Sequence, residues 1–600
     1  MNQSKSSNLE VATLDGFELG VVSDSWNQMG WVSASVRLLR PFSWDAKDRA
    51  FEILQLELEH GKPLIVVCGP YATSDASAWN VSPESDVGFP ENEEYDGVLY
   101  TIQGVPATKE QRYQDAAGWF TIAGIGEDGT PRFAAFALER SNTQQVLIDL
   151  TEAKLSVSLV LPKQVYPIAA CDQLIDLPGM KVSTGSGSHR SGQSVLREII
   201  VQAMPERARS YDSPLIVDTW GFGTHVDQKL VTAVADTAQS LGIEIVTVDK
   251  GWEKTVGDWS TGSNFPDGVA GLSKITSERG TRLGLWASLG NADPISDVAR
   301  AHPDWIASWR GKTQKVSHRT NSLCLGHGAV VSYLMESVDS LVDNGVTWLL
   351  HDFETISRCD SDKHDHPSGL GEDWAVRGWY RLLTHVRRHH PGVWIENCWN
   401  GGRALDLQMV AHHDTTIGDD WCDVRHNAVA KVGLGEFLPA HWCSSYMSDQ
   451  NKLPLTSQLA IYALGGPWIL MGDIPNWSSE KLALTESVIA VYKQYRPLFP
   501  EGAVTWATLQ GWVPDGRWRA DQEILALSFQ HPSGVELMGC VVIEAQPQLA
   551  VSWIPKHAGP LVIRDEYSGE VRRFDKDEAA SGIKLDTSSP RGYLFSVIPN

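Results

Sequence analysis

The pattern of apolar and polar positions changes twice along the chain. Over residues 1–180, short apolar runs such as Gly97–Ile102, Phe133–Leu138, Val146–Leu150 and Leu155–Leu161 are separated by turn signals like Glu127-Asp128-Gly129-Thr130-Pro131. Runs of this length, bounded by Gly, Pro and Asp, predict β-strands. Ser183–Gln193 (STGSGSHRSGQ) is rich in Ser and Gly and reads as a linker or exposed loop. After about residue 211 the pattern alternates. The strand candidates are Leu215–Val217, Ile243–Val248, Arg282–Trp286, Val346–Asp352, Val393–Ile395, Thr415–Ile417, Phe437–Ala440 and Trp468–Met471. Between them lie stretches with helical spacing of apolar residues, at Gln228–Leu241, Ser273–Gly280, Val330–Asn344 and Ala375–His389. Such alternation means parallel strands with helical crossovers. Eight units over roughly 250–300 residues have the size of a (β/α)8 barrel. A doubly wound sheet is the runner-up, but no GxGxxG opens any unit. Beyond about residue 501 strand-like runs return at Ile524–Leu527, Leu537–Ile543 and Gly592–Val597. The expectation is a multidomain α/β chain. An N-terminal β-sandwich spans 1–195, a linker 196–210, a catalytic TIM barrel 211–500 and a small C-terminal β-sandwich 501–600.

Composition narrows the partners. The 50 Lys+Arg stand against 74 Asp+Glu, a net charge of −24. Nucleic acid and anionic membrane surfaces are poor partners for such a chain. No segment approaches ~18 uninterrupted apolar residues, and the first residues, MNQSKSSNLEVATLDG, carry no apolar targeting core. A cytoplasmic location is expected. The eight Cys show no CxxC spacing and read as reduced, buried thiols. Tryptophan is in excess, 24 against 14 Tyr and 15 Phe. Indole packs in cores, and it also covers the C–H face of a sugar ring.

In a (β/α)8 barrel the chemistry gathers at the C-terminal ends of the strands. Here those ends read Asp218-Thr219-Trp220, Asp249-Lys250-Gly251-Trp252, Trp286, His351-Asp352-Phe353-Glu354, Glu396-Asn397-Cys398, Gly418-Asp419-Asp420-Trp421, His441-Trp442 and Asp473. An Asp at a strand end often only caps the next helix. Several carboxylates with several Trp suit a polyhydroxylated ligand, and two opposed carboxyls are the minimum kit for glycoside hydrolysis.

The motifs carry a resemblance. Trp220, Ile243–Trp259 (IEIVTVDKGWEKTVGDW), Phe265-Pro266-Asp267-Gly268, Leu283-Gly284-Leu285-Trp286, His302-Pro303-Asp304-Trp305 and Glu396–Asp406 (ENCWNGGRALD) resemble glycoside hydrolase family 36. That family holds α-galactosidases and raffinose-synthase-like members. The match covers about residues 211–475. It implies an exo-acting, retaining α-glycosidase that works through a covalent glycosyl-enzyme, without a cofactor or catalytic metal. Asp352 matches the nucleophile. Asp420, fourteen residues past Asp406, matches the acid/base, with Asp423 three further on and Asp419 as the competitor. Trp220, Asp249, Lys250, Trp252, Trp286, Glu354, Cys398, Arg403 and His441 are the implied sugar-binding set. A small oligosaccharide or glycoside is the implied partner, and a homo-oligomer is an option because members often associate.

Three positions depart from the family. Lys250 replaces the second of two paired aspartates, Leu350 replaces a Lys two residues before the nucleophile, and Glu354 replaces an Asn two residues after it. Either Lys250 pairs with Glu354 or a nearby Asp, as buried charges usually do, or the glycone is not plain galactose. A transglycosidase and a non-catalytic sugar-binding homologue are the alternative functions. His364-Asp365-His366 is read as a polar solvated loop and His412-His413 as a helix or loop surface. Neither is expected to bind metal, because no zinc-type Cys/His spacing is visible.

Overall fold

The computed structural model describes residues 180–599 apart from 316–319, 353–356, 369, 399–404, 419–421, 451, 514–520 and 558. It also describes residues 7–14, 17–26, 29–37, 42–43, 49–57, 65–68, 118–126, 128–139, 145–150, 154–161 and 170–171. The expected strand at Gly97–Ile102 lies outside these residues.

Eight parallel strands close into a barrel. In order they are Leu215–Asp218, Ile245–Val248, Arg282–Ala287, Val346–His351, Trp394–Asn397, Thr415–Ile417, Cys443–Ser448 and Trp468–Met471. Helices return the chain from each strand's end to the next strand's start. Gln228–Leu241 shows how the sequence encodes one. Asp227 accepts from the Leu230 N–H at 2.7 Å to start it, and Gly242 ends it in the left-handed region at φ 67°. Val231, Val234, Ala235, Ala238 and Leu241 fall on one helical face and are buried against the barrel. Helix Gly371–His389 has no side-chain cap and relies on charge instead, with Glu372 and Asp373 in its first turn and Arg387, Arg388 and His389 in its last, as the helix dipole favours.

Two expectations need correction. The seventh strand is Cys443–Ser448, not Phe437–Ala440. Its sequence CSSYMS is polar on paper, yet Ser444 and Ser445 are buried by the closed barrel. Phe437 and Leu438 instead join a core beneath the N-terminal sheet. The stretch read as a linker is also ordered. Met180–Ser186 is a strand, and His189–Ala203 is a helix followed by a short 3-10 turn at Glu206–Ala208. Val195, Leu196, Ile199 and Ile200 form an apolar stripe that packs with Trp119, Ala135, Leu405, Leu407 and Trp442. That stripe overrides the Gly/Ser signal just before it and joins the sheet to the barrel.

The N-terminal part contains a seven-stranded antiparallel sheet and a three-stranded one. At the C-terminus a six-stranded and a three-stranded sheet face each other. Their shared core includes Ile524, Met538, Trp553, Leu561 and Phe595, with the Trp553 and Phe595 rings stacked at 5.8 Å. Strand Ile524–Gln530 is apolar on both faces. Leu525, Leu527 and Phe529 turn the other way, into the barrel's core. Helix Leu455–Tyr462 lies so close to this sheet that a Cβ on Gly539 would meet the Ala460 carbonyl at 2.2 Å, and one on Gly592 the Thr456 carbonyl at 2.2 Å. Only glycine fits there. Among the described residues no helix is long and apolar enough to cross a membrane.

Candidate active site

The rim holds Asp352 directly after the fourth strand, its N–H donating to the Ala287 carbonyl at 3.1 Å. Side chains two apart in a strand share a face. Trp348 reaches inside the barrel, where its Nε1–H donates to Glu396 Oε2 at 2.8 Å. Leu350 and Asp352 therefore turn inward with it. Asp352 is half-buried. The Trp286 Nε1–H donates to its Oδ2 at 3.2 Å. The Lys250 ammonium stands 5.6 Å from the centre of that same indole. A carboxylate, an indole edge and a cation over the indole face thus come from the ends of the second, third and fourth strands.

Beneath them lie three buried carboxyls. Asp218 and Glu396 are fully buried and Asp249 nearly so. Asp218 holds the turn that follows it, accepting from the Trp220 N–H at 2.7 Å. Asp249 accepts from the Lys250 N–H at 2.6 Å, and its own N–H donates to Thr219 Oγ1 at 2.8 Å. Burial pushes the Asp218 carboxyl well above the ordinary carboxylate range, and the neighbouring Asp249 adds to the rise. Burial raises Glu396 to about 7; donation from Trp348 and from the Tyr446 hydroxyl (3.0 Å) pulls it partly back, and Asp249 pushes it up again. The interior holds more carboxyls than it can ionise at once, so it retains protons near neutrality.

The rim gathers most of the expected residues within the described set. Trp220 is 44% exposed, an indole left facing solvent. Cys398 ends the fifth strand, nearly buried, with its N–H on the His351 carbonyl at 2.9 Å. Asp420, Glu354 and Arg403 lie outside the described residues, as do Asp419 and Trp421.

Two placements are corrections. His441 is at the opposite end of the barrel. It sits in the short turn before the seventh strand, fully buried, with Nε2 on the Ala208 carbonyl at 2.8 Å and its ring edge-on to Tyr211. Both partners precede the first strand, so His441 and the adjacent Trp442 belong to the floor of the barrel; the shifted seventh strand is the reason. Trp252 is fully buried, its Nε1–H spent on the Trp286 carbonyl at 2.9 Å. It packs with Trp259 behind Trp286 and supports that residue rather than offering a face to a sugar.

The shift also reveals Asp449 at the end of the seventh strand. It accepts from Trp477 Nε1 at 2.7 Å and from the Asp473 N–H at 3.0 Å, tying together the loops after the last two strands. Asp473 itself holds the Asn476 amide. Asp218 and Glu396 were expected only as strand-end residues and given no role in the site; each is the one charged residue of a four-residue strand, Leu215–Asp218 and Trp394–Asn397.

The melibiase family profile matches residues 186–502, more than half of the chain. The chain belongs to the melibiase family. This family member is 24% identical over 315 residues to the α-galactosidase AgaA of Geobacillus stearothermophilus, an alignment spanning 49% of this chain and 43% of that protein. It is 25% identical over 281 residues to an Escherichia coli α-galactosidase, spanning 44% of this chain and 38% of that one. The alignments thus span under half the length of these relatives. In structure it superposes on the α-galactosidase of Lactobacillus brevis with a TM-score of 0.74 at 18% identity, over all of this chain and 84% of that one. A family 36 α-galactosidase AgaA variant from Geobacillus stearothermophilus, bound to raffinose, superposes with a TM-score of 0.74 at 16% identity, over 97% of this chain and 81% of that one. The kinship with family 36 carried by the motifs, and the barrel with flanking β domains it implied, are both met by these likenesses.

Proposed function

We propose that this chain is an exo-acting, retaining α-glycosidase of the α-galactosidase kind, adapted to a glycone other than plain galactose. The observation that carries the reading is the rim cluster. Asp352 is half-exposed and turned inward, held by the Trp286 N–H, with the Lys250 ammonium over the same indole.

In the first step Asp352 attacks the anomeric carbon. The bond to the leaving oxygen breaks as Asp420 gives that oxygen its proton. In the second step Asp420 takes a proton from water, and the water oxygen displaces Asp352 from the anomeric carbon. Trp220 offers indole surface to the ring's C–H face, while the buried Trp286 holds Asp352 through its N–H. Asp249 accepts a ring hydroxyl, in keeping with its place at the end of the second strand.

Lys250 supports the altered glycone. Among the described residues it forms no ion pair, and its ammonium leans over Trp286 beside the proposed nucleophile. A cation placed there favours a sugar bearing an anionic or differently configured group.

A panel of nitrophenyl α- and β-glycosides, with uronides and other anionic sugars included, tests the reading. The expected result is turnover confined to α-glycosides, lost in Asp352→Ala and restored by azide as a β-glycosyl azide. Unchanged activity of the Asp352→Ala variant would refute the assigned nucleophile. No turnover on any glycoside would favour a sugar-binding homologue.

A further inference from the structure

The stretch His364-Asp365-His366 is not a solvated loop. His364 and His366 are buried, and so are Cys324 and Cys359, and the four sulfur and nitrogen atoms all lie within 4.8 Å of one another. We propose that Cys324, Cys359, His364 and His366 form a closed structural zinc site that ties the loop after the third barrel strand to the loop after the fourth.

Two of the donor separations are already close to those of a tetrahedral site. Cys324 Sγ is 3.4 Å from His366 Nε2, and Cys359 Sγ is 3.3 Å from His364 Nδ1. Zn–S near 2.3 Å and Zn–N near 2.0–2.1 Å in a tetrahedron put sulfur and nitrogen about 3.6 Å apart. The other nitrogen of each ring is committed. His364 Nε2 donates to the Asp304 carbonyl at 2.6 Å, and His366 Nδ1 to the Pro367 carbonyl at 3.0 Å. A carbonyl accepts only from a protonated nitrogen, so in the neutral ring the other nitrogen, unprotonated, faces the thiols. Donation from the far ring nitrogen to a backbone carbonyl fixes the tautomer a metal needs.

The backbone presents the donors in alternation. Asp365 points the other way and accepts from the Gly328 N–H at 2.7 Å and from His327 Nδ1 at 3.0 Å, fastening the loop to the start of helix Gly328–Asp343. Charge balances as well. Binding releases one proton from each thiol to solvent, and two thiolates neutralise one Zn2+, which suits a buried site. All four coordination positions are filled by protein, so the site is structural rather than catalytic. Its position gives it a purpose independent of the glycosidase reading: Cys359 lies in the loop that leaves Asp352, and Cys324 in the loop that leaves Trp286.

The test uses the full chain, purified without chelators under reducing conditions. Elemental analysis is expected to find about one zinc per chain. After exchange with cobalt, the protein should show thiolate-to-cobalt charge transfer and the intense visible bands of tetrahedral Co2+. Both signals should be lost in Cys324→Ser and Cys359→Ser and kept in His385→Ala, which alters a separate cluster of Asp339, His385 and His390. The cobalt spectrum of the wild type decides the matter even if the Cys variants fail to fold. Fully reduced protein that takes up neither metal, or a native Cys324–Cys359 disulfide found by mass spectrometry, would overturn the proposal.

Discussion

Glu396 is a carboxyl inside a barrel, and replacing it with Gln should change how stability depends on pH. In the unfolded chain this side chain titrates near 4.5, and burial raises it to about 7 in the folded protein. The folded state therefore holds the proton more tightly. Its contribution is fully present below about pH 4.5 and is lost as pH rises through about 7. A rise of about 2.5 units corresponds to about 3 kcal/mol between those limits. Gln mimics the neutral acid: its carbonyl accepts from Trp348 Nε1 and its amide donates to the Tyr446 hydroxyl, the two groups that now meet Glu396. The assay is denaturant unfolding of the barrel transition, wild type and Glu396→Gln side by side, at about pH 5 and about pH 9. At the lower pH the two proteins should be close. At the higher pH the variant should be the more stable, by about 3 kcal/mol. Parallel pH dependence in the two proteins would refute the reasoning, because it would mean that Glu396 ionises in the folded state as easily as in the unfolded chain.

Other outcomes are expected. Trp286→Phe removes the donor to Asp352 Oδ2 while keeping an aromatic ring; kcat/KM should fall about tenfold or more, the worth of a hydrogen bond to a charged group, with the fold intact by circular dichroism. Lys250→Asp, which restores the family's paired aspartates, should shift preference toward neutral α-galactosides in competition assays. Asp414 is fully buried and accepts from Arg207, Arg387 and the Ile395 N–H; Asp414→Ala should cost about 3–5 kcal/mol by leaving two guanidinium groups without their partner, measured by unfolding or by loss of soluble yield. Gly592→Ala should cost about 1–3 kcal/mol through the clash with the Thr456 carbonyl, read as a lowered melting temperature.

Local periodicity was enough to read the barrel, because each strand and helix carries its own apolar pattern. The helix at Gln228–Leu241 was legible to the residue. The seventh strand was not, since Cys443–Ser448 has few apolar residues and is buried only by the closure of the barrel around it. That single misplacement carried His441 from the floor to the rim. The helix at His189–Ala203 was hidden by the Gly/Ser run before it, and its stripe has meaning only against Trp119 and Leu407.

The chemistry divides in the same way. Sequence by itself determined that Asp249, Lys250, Trp286 and Asp352 end successive strands, because position along a parallel barrel fixes which end a residue occupies. Only the tertiary structure decided what those residues do to one another. It set Lys250 over the ring that holds Asp352, sank Trp252 behind that ring, and gathered Asp218, Asp249 and Glu396 into one interior where not all can be charged. It also brought Cys324 to Cys359, His364 and His366 from another loop. No spacing along the chain announces such a meeting, because burial and proximity arise from how distant segments pack and not from their order.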